Sequence, residues 1–418
     1  MSNPVKIGNE NIQKVITVNS QDSDTQTLDA FGRLKVGSPF SMLDSVITHD
    51  TDNIYVNFLT NGTGSYSYDA PNSMHVLSVA ALGDYVVEQT IGRAKYQPGK
   101  SLEFLASVRM NTETDVVKRC GFADVDDYTS PVISNSIRNG IVFENNSGAI
   151  SWKIFKNGVN TETALKENWN VDKLDGTGQS GITLNLDGNI LPYIDLQFLA
   201  VGTVRVGYDI NGQYVIVHQF HHTNDSGIVS TYMQNANLPV HYSIESLGGS
   251  GSINAIGYTV SSGGGFDPLG RVGFVNSGSV SIASGVTSLM VGIRLKPSHF
   301  NSIVDIISTS VLSTTGANAM WMLLLNPTYS NTVTWVDVAD SSIQYAVNNL
   351  NDIATDADRG TCLAAGYMSN NNDISGSGVD NALRIAKKLD GSYIELWLAV
   401  ESYGSETYRA AINYKDLM

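Results

Sequence analysis

A chain of 418 residues is too long for one core of ordinary size; two or three domains are expected. It is 42% hydrophobic but only 16% charged and carries 39 glycines, the balance of a β-rich protein with many tight turns and not of a helical one. The formal net charge of −15 repels phosphate backbones, which argues against nucleic-acid partners, and no apolar run approaches a membrane span.

Residues 1–27 are polar, with one β-like patch, "KVITV", and read as an N-terminal docking arm. No apolar leader core is visible in "MSNPVKIGNENIQ", so synthesis in a cytoplasm is expected. "LDAFGRLKV" (28–36) follows, and from Val36 onward strands and turns succeed one another almost without relief. "KYQPGKS" (95–101) reads as a turn entering the cleanly alternating strand "SLEFLASVRM". In "YIDLQFLAV", Ile194, Leu196 and Phe198 share one face. In "TVRVGYDINGQYVIVHQF", Val204, Val206, Tyr208 and Ile210 alternate up to Asn211-Gly212, the dipeptide of a type I′ turn, so a hairpin is expected. Pro239 sits at a strand start, where a missing donor is harmless. A second hairpin is expected around Asp390-Gly391, between "LRIAKKL" and "YIELWLAV", in competition with a short helix over "VDNALRIAKKL".

The clearest boundary is "SSGGGFDP" (261–268), where three glycines and a proline suit a hinge. Beyond it "FDPLGRVGF" echoes "LDAFGRLKV": Asp29, Gly32, Arg33 and Leu34 align with Asp267, Gly270, Arg271 and Val272. Asp29, Phe31, Gly32, Arg33, Asp267, Gly270 and Arg271 thus make a structural clasp that opens two domains, the glycine permitting the turn and a carboxylate holding the arginine. The predicted fold is all-β: an extended N-terminal arm (1–27), a jelly-roll or concanavalin-like β-sandwich (28–262), a Gly-rich hinge (263–270) and a C-terminal β-sandwich (271–418).

Chemistry has few footholds. On an extended strand His218 and His222 share a face with His221 on the other, about 13 Å separating the first two, too far to chelate one ion alone. Asp124, Asp126 and Asp127 in "FADVDDYTS" are weak calcium candidates without an EF-hand loop around them. Asp195, Glu395 and Glu401 form no row of carboxylates of the kind glycan cleavage needs. "GTGQSG" (176–181) lacks the lysine of a phosphate loop and opens onto a strand. Cys120 and Cys362 make neither a disulfide framework nor a metal pattern. Trp152, Trp169, Trp321, Trp335 and Trp397 are spread along the chain and read mostly as core, as the Leu and Val neighbours in "YIELWLAV" suggest, although exposed aromatics would serve to stack on sugars. No cofactor is expected, and no enzymatic activity.

"DAFGRLKVGSPFSMLDS", "IGRAKYQPGKSLEFLASVRM", "NWNVDKLDGTGQSGITLNL", "YIDLQFLAVGTVRVGYDINGQYVIVHQFHHTN", "MQNANLPVHYSIES" and "SSGGG" occur in that order. Over roughly residues 28–270 this series resembles a widespread group of tailed-bacteriophage virion structural proteins, in which an AFGRLRV-like clasp precedes a lectin-like jelly roll. The resemblance implies a non-enzymatic part of the particle surface, capsid decoration or tail-associated, made in the host cytoplasm and located in the virion. It implies partners among other virion proteins and a homo-oligomer, a trimer being the natural form where one arm meets a symmetric particle. A host receptor- or glycan-binding adhesin using the C-terminal domain is the alternative.

Overall fold

The computed structural model describes residues 39–417 apart from 51–54, 126–135, 226, 268, 315, 348–355, 369–373 and 378–384. It also describes the backbone of a short antiparallel pair, Val5–Ile7 with Glu10–Ile12. The clasp residues Asp29, Phe31, Gly32 and Arg33, and the patch "KVITV", lie outside the described residues.

The protein is all-β. Two sheets built between residues 40 and 262 face each other across one core. The seven-stranded sheet runs Val159–Leu165, Ala149–Lys156, Ile137–Asn146, Val116–Val125, Val240–Ser246, Tyr85–Thr90 and Val56–Asn61, all antiparallel. The eight-stranded sheet runs Gln213–Phe220, Val204–Ile210, Asn189–Leu196, Leu102–Arg109, Gly251–Ser262, Met74–Val79 and Ser65–Asp69, with Phe40–Val46 pairing on Gly251–Ser262. Period-2 patterning explains the strands: in Leu102–Arg109, Leu102, Phe104, Ala106 and Val108 are buried and the residues between them are not. The expected hairpin at 204–220 is present. Asn211 and Gly212 take φ of 56° and 79°, the two left-handed positions a type I′ turn demands. Trp152 and Trp169 are fully inside this core.

The second pair of sheets is built from residues 271–416. One runs Arg271–Asn276, Glu406–Asp416, Val304–Ser313 and Ile374–Ser377, with Val280–Ile282 also on Glu406–Asp416. The other runs Val336–Asp337, Ile343–Val347, Val286–Leu295, Leu396–Ser402, Ala319–Leu325 and Thr361–Met368. Here the sequence reading needs correction. Asp390-Gly391 does form a tight turn, closed by the Gly391 N–H to the Lys388 carbonyl at 3.0 Å, and short arms pair beside it through the Lys388 N–H to Ser392 and the Ile394 N–H to Ala386 at 2.7 and 2.8 Å. Only one bridge, Lys387 with Tyr393, extends it. Leu396–Ser402 instead lies between Val286–Leu295 and Ala319–Leu325. "LWLAV" is buried at every position, and a strand apolar on both faces belongs at the centre of a covered sheet, not in a surface hairpin. Residues 381–384, part of the alternative helix, are outside the described residues.

The two sandwiches touch. Tyr85–Thr90, Val116–Val125 and Val240–Ser246 are buried on both faces, because the outer face of their sheet is covered too. Leu389 of the second sandwich packs there against Tyr85 and Val87, with its N–H on the Asn57 side-chain oxygen at 3.3 Å.

Candidate functional site: the joint between the sandwiches

The segment Ile91–Ser101 binds the two halves of the molecule together. Ile91 belongs to the apolar core of the second sandwich although it follows a strand of the first. Arg93 donates to the Asp124 carboxylate and to the Asn237 carbonyl, both at 3.1 Å, and its guanidinium lies 5.9 Å from the ring of Phe300 in the second sandwich. Lys95 Nζ donates to the Leu417 carbonyl at 2.5 Å and the Leu269 carbonyl at 3.2 Å. Burial lowers the pKa of this lysine, against the pull of Asp305 and Asp416. Gln97 and Asp267 exchange bonds, side-chain amide to carbonyl and N–H to side-chain oxygen. Lys100 Nζ reaches the Asp267 carboxylate at 2.9 Å.

Around these ties lies a cavity of about 630 Å³, walled by Tyr96, Phe198, Leu199, Asn235, Asn237 and Leu269 among others. At its rim the Phe198–Gly202 turn is closed by the Gly202 N–H on the Phe198 carbonyl at 2.8 Å. Leu199 and Ala200 sit there at φ of 32° and 63°, a conformation costly for residues with a side chain. Tyr96 holds the turn by accepting the Leu199 N–H at 3.1 Å. Among the described residues of its wall, Lys95, Gln97, Lys100 and Asp267 are engaged in tying the two sandwiches together.

The residues singled out by sequence fall in different places. Asp267 ties to Lys100 in the first sandwich, while Arg271 opens the first strand of the second and donates to the Asp340 carbonyl at 2.6 Å. The Asp340 carboxylate also lies 3.7 Å from the Arg271 guanidinium, so this arginine has a carboxylate beside it, as expected, while Asp267 reaches the other way across the joint. A Cβ on Gly270 would come within 2.4 Å of the Asp416 carbonyl, so only glycine passes here. Asp124 is buried and engaged by Arg93 at 3.1 Å and by the Asn139 N–H at 2.8 Å. Asp126 and Asp127 are outside the described residues.

The histidine geometry also changes. The strand has a register shift between Ile216 and His218 and ends at Phe220, and His222 beyond it bonds the Gly202 carbonyl at 2.8 Å and Glu162 at 2.9 Å. His218 accepts the Asn170 N–H at 3.3 Å, and burial, with His221 nearby, lowers its pKa to about 4. Asp195 is buried against Arg205; Glu395 accepts Tyr329 and Trp397; Glu401 pairs with Arg359 at 2.7 Å. Asp172, not a phosphate, fills the "GTGQSG" loop, accepting the Leu174 and Ser180 N–H groups. Cys120 is buried and Cys362 exposed, both free.

Sequence reasoning missed a buried charge layer on the covered face of the seven-stranded sheet. Arg119 donates to Glu144 at 2.7 Å and to Glu245 at 3.2 Å, and Lys153 meets Glu144 at 2.6 Å. Burial pushes the Glu144 carboxyl up, but Arg119 and Lys153 together outweigh it and the net shift is downward. His241, fully buried beside them, bonds Ser243 at 2.9 Å and is held down to about 3 by burial and by Arg119. The signal was the alternation of polar His241, Ser243 and Glu245 with apolar residues in "VHYSIES", together with charges inside the apolar strand "VVKRCGF".

No family model and no curated protein matches this sequence. Among solved structures, the chain is similar to the potassium-bound carbohydrate recognition domain of Emp46p, at 8% identity and a TM-score of 0.33 over 52% of this chain and 94% of that one. A Bacillus licheniformis β-glucanase is similar at 13% identity and a TM-score of 0.32, over 54% and 98%. An endo-β-1,4-glucuronan lyase from Trichoderma reesei is similar at 9% identity and a TM-score of 0.35, over 54% and 97%. At these TM-scores no activity or ligand passes from those proteins to this one.

Proposed function

We propose that the chain is a non-enzymatic structural component of a tailed-phage virion, on the particle surface as capsid decoration or a tail-associated part. Its N-terminal arm attaches it to other virion proteins, and copies of it self-associate. One observation carries this reading. "IGRAKYQPGK", among the segments on which the resemblance to phage virion proteins rests, is the fastening between the sandwiches. Asp124, Asp195, Glu144, Glu245 and Glu401 add support, because each is engaged by an arginine of the same chain.

The test is cryo-electron microscopy of the parent particle with mass spectrometry of purified virions. The protein is expected at a fixed copy number and in symmetric density, and its absence from purified particles would overturn the reading. Removal of residues 1–27 should abolish incorporation while leaving both sandwiches folded.

An adhesin reading is favoured by a different surface. Tyr367 and Tyr403 are 72% and 46% exposed and neighbour one another on the second sandwich beside the Arg359–Glu401 pair. Exposed tyrosines beside a carboxylate and a guanidinium suit stacking on, and hydrogen bonding to, a host-surface glycan. Saturable glycan-array binding by the full chain, lost in a Tyr367→Ala/Tyr403→Ala variant, would support it; the absence of any binding would remove it.

A further inference from the structure

A strand at the edge of a sheet presents unpaired N–H and C=O groups, and soluble proteins blunt such edges with charges, prolines or bulges. Several edges of this molecule are protected in that way. Val159–Leu165 carries Glu162 and a register shift. Gln213–Phe220 is bulged and carries Gln213, His218 and Gln219. Ser65–Asp69 is polar, Phe40–Val46 has Asp44 and a shift, and Thr361–Met368 is shifted against its neighbour.

Arg271–Asn276 is different. It pairs with Glu406–Asp416 in unbroken register, and no described residue pairs with its other edge. Between Arg271 and Asn276 its sequence is Val-Gly-Phe-Val, without charge or proline. Val275 points inward and is buried, whereas Val272 and Phe274 stand on the outer face 64% and 65% exposed. Leu269, 75% exposed, precedes them, and Ile307, 41% exposed, lies on the next strand but one.

We infer that this edge is where two copies of the chain associate, Arg271–Asn276 pairing antiparallel with the same strand of a second copy about a two-fold axis through Gly273. The occupant follows from self-complementarity. In antiparallel pairing, residues directly opposite share a face. With Gly273 opposite its mate, each Val272 stands opposite the other copy's Phe274, so the apolar pair forms twice on one face. The two inward-facing Val275 residues are kept in their own cores. A register one residue away would set exposed Phe274 opposite inward Gly273 and break both faces. The area is adequate as well. One aromatic, two or three aliphatic side chains and a paired backbone edge from each copy together approach the roughly 1,000 Å² at which specific interfaces begin. The result joins two five-stranded sheets into one continuous sheet, an isologous contact that closes on itself and leaves no further copy of the same edge exposed. This gives the self-association in the proposed function a surface and a two-fold symmetry, and it rests on that reading only for where the pair would sit. The test below uses the isolated chain, so a particle without this protein would overturn the virion reading and leave the pairing standing.

Sedimentation velocity of the full chain across the micromolar range should show a concentration-dependent dimer. Phe274→Lys places an ammonium opposite Val272 of the mate and should weaken association about a hundredfold or more. At concentrations where the parent is monomeric it should leave the thermal midpoint unchanged, because the side chain is largely exposed in the monomer. Val272→Glu/Phe274→Lys places Glu opposite Lys at both positions and should restore dimer relative to Phe274→Lys alone. A control, Val46→Lys on a protected edge, should dimerise as the parent does. A parent chain that is monomeric throughout, or trimeric, overturns the inference, as does a Phe274→Lys variant that dimerises like the parent. Failure of the Glu/Lys double variant to recover dimer overturns the Gly273-centred register.

Discussion

In the first sandwich Arg119 holds Glu144 and Glu245 with side-chain exposures of 4%, 2% and 3%, and Arg205 holds Asp195 at 6% and 0%. In the second, the pairs Arg294–Glu395 and Arg359–Glu401 keep 19–24% of their side chains in solvent, and the centre is filled by Met290, Leu323, Trp397 and Leu398. The difference traces to covering. For Arg119, Glu144 and Glu245 the seven-stranded sheet is roofed on its outer face, so charges there lost water and had to find one another; Arg205–Asp195 is a separate buried pair on the eight-stranded sheet. Buried pairs of this kind contribute little net stability, because desolvation offsets their attraction, yet removing one partner strands a charge in a dry place. The second sandwich is held by apolar packing, where the cost of a change follows the volume removed.

That contrast can be broken at its strongest points first. Arg119→Met leaves Glu245 without its cation and should cost about 3–5 kcal/mol, seen as a lower denaturant midpoint for the first sandwich. An unchanged midpoint would mean that the network is dispensable. Trp397→Ala should cost a similar ~3–5 kcal/mol, but in the second sandwich, by opening a cavity next to Tyr329 and Trp335. Domain-resolved hydrogen exchange separates the two losses, and a loss spread evenly over both would show that the sandwiches unfold as one.

Acid sharpens the comparison further. His241 is held at about 3 in the fold, below its ordinary 6.5, so the unfolded chain takes up the proton first. Its contribution is therefore complete above pH 6.5 and is lost as pH falls toward 3. The depressed carboxyls of Asp84, which accepts N–H groups from Thr63, Ala80 and Ala81, and of Glu144 lose their contributions at lower pH still. The first sandwich should lose up to about 1.4 kcal/mol per pH unit on the histidine limb. His241→Gln should flatten that limb in thermal melts, and a limb of unchanged slope would assign it to other groups. The smallest effect is expected from Arg359→Ala, whose half-exposed pair with Glu401 should contribute no more than about 1 kcal/mol, and less in high salt.

Much of the architecture was legible because it is local. Alternation marked Leu102–Arg109, and Asn211-Gly212 marked the hairpin of 204–220, since two left-handed positions in a row admit few other residues. The second hairpin misled for a physical reason: a turn dipeptide fixes where the chain reverses, not which strand lies beside the returning one. The candidate site was less legible. That a carboxylate would hold the clasp arginine was legible, but not which one: Arg271 meets Asp340, 69 residues on, and Asp267 is taken by Lys100. Lys95 drew no notice at all, since its partners are the carbonyls of Leu269 and Leu417, and a backbone oxygen has no sequence signature.

By itself the sequence determined that this chain is all-β, where its tightest turns fall and which tryptophans go inside, because φ/ψ limits and period-2 burial act on neighbouring residues. The tertiary structure alone decided that one sheet is covered on both faces, that its charges meet at Arg119, and that Arg271–Asn276 is left with an open edge. Those depend on which surfaces far apart in the chain come together, and no local preference encodes that.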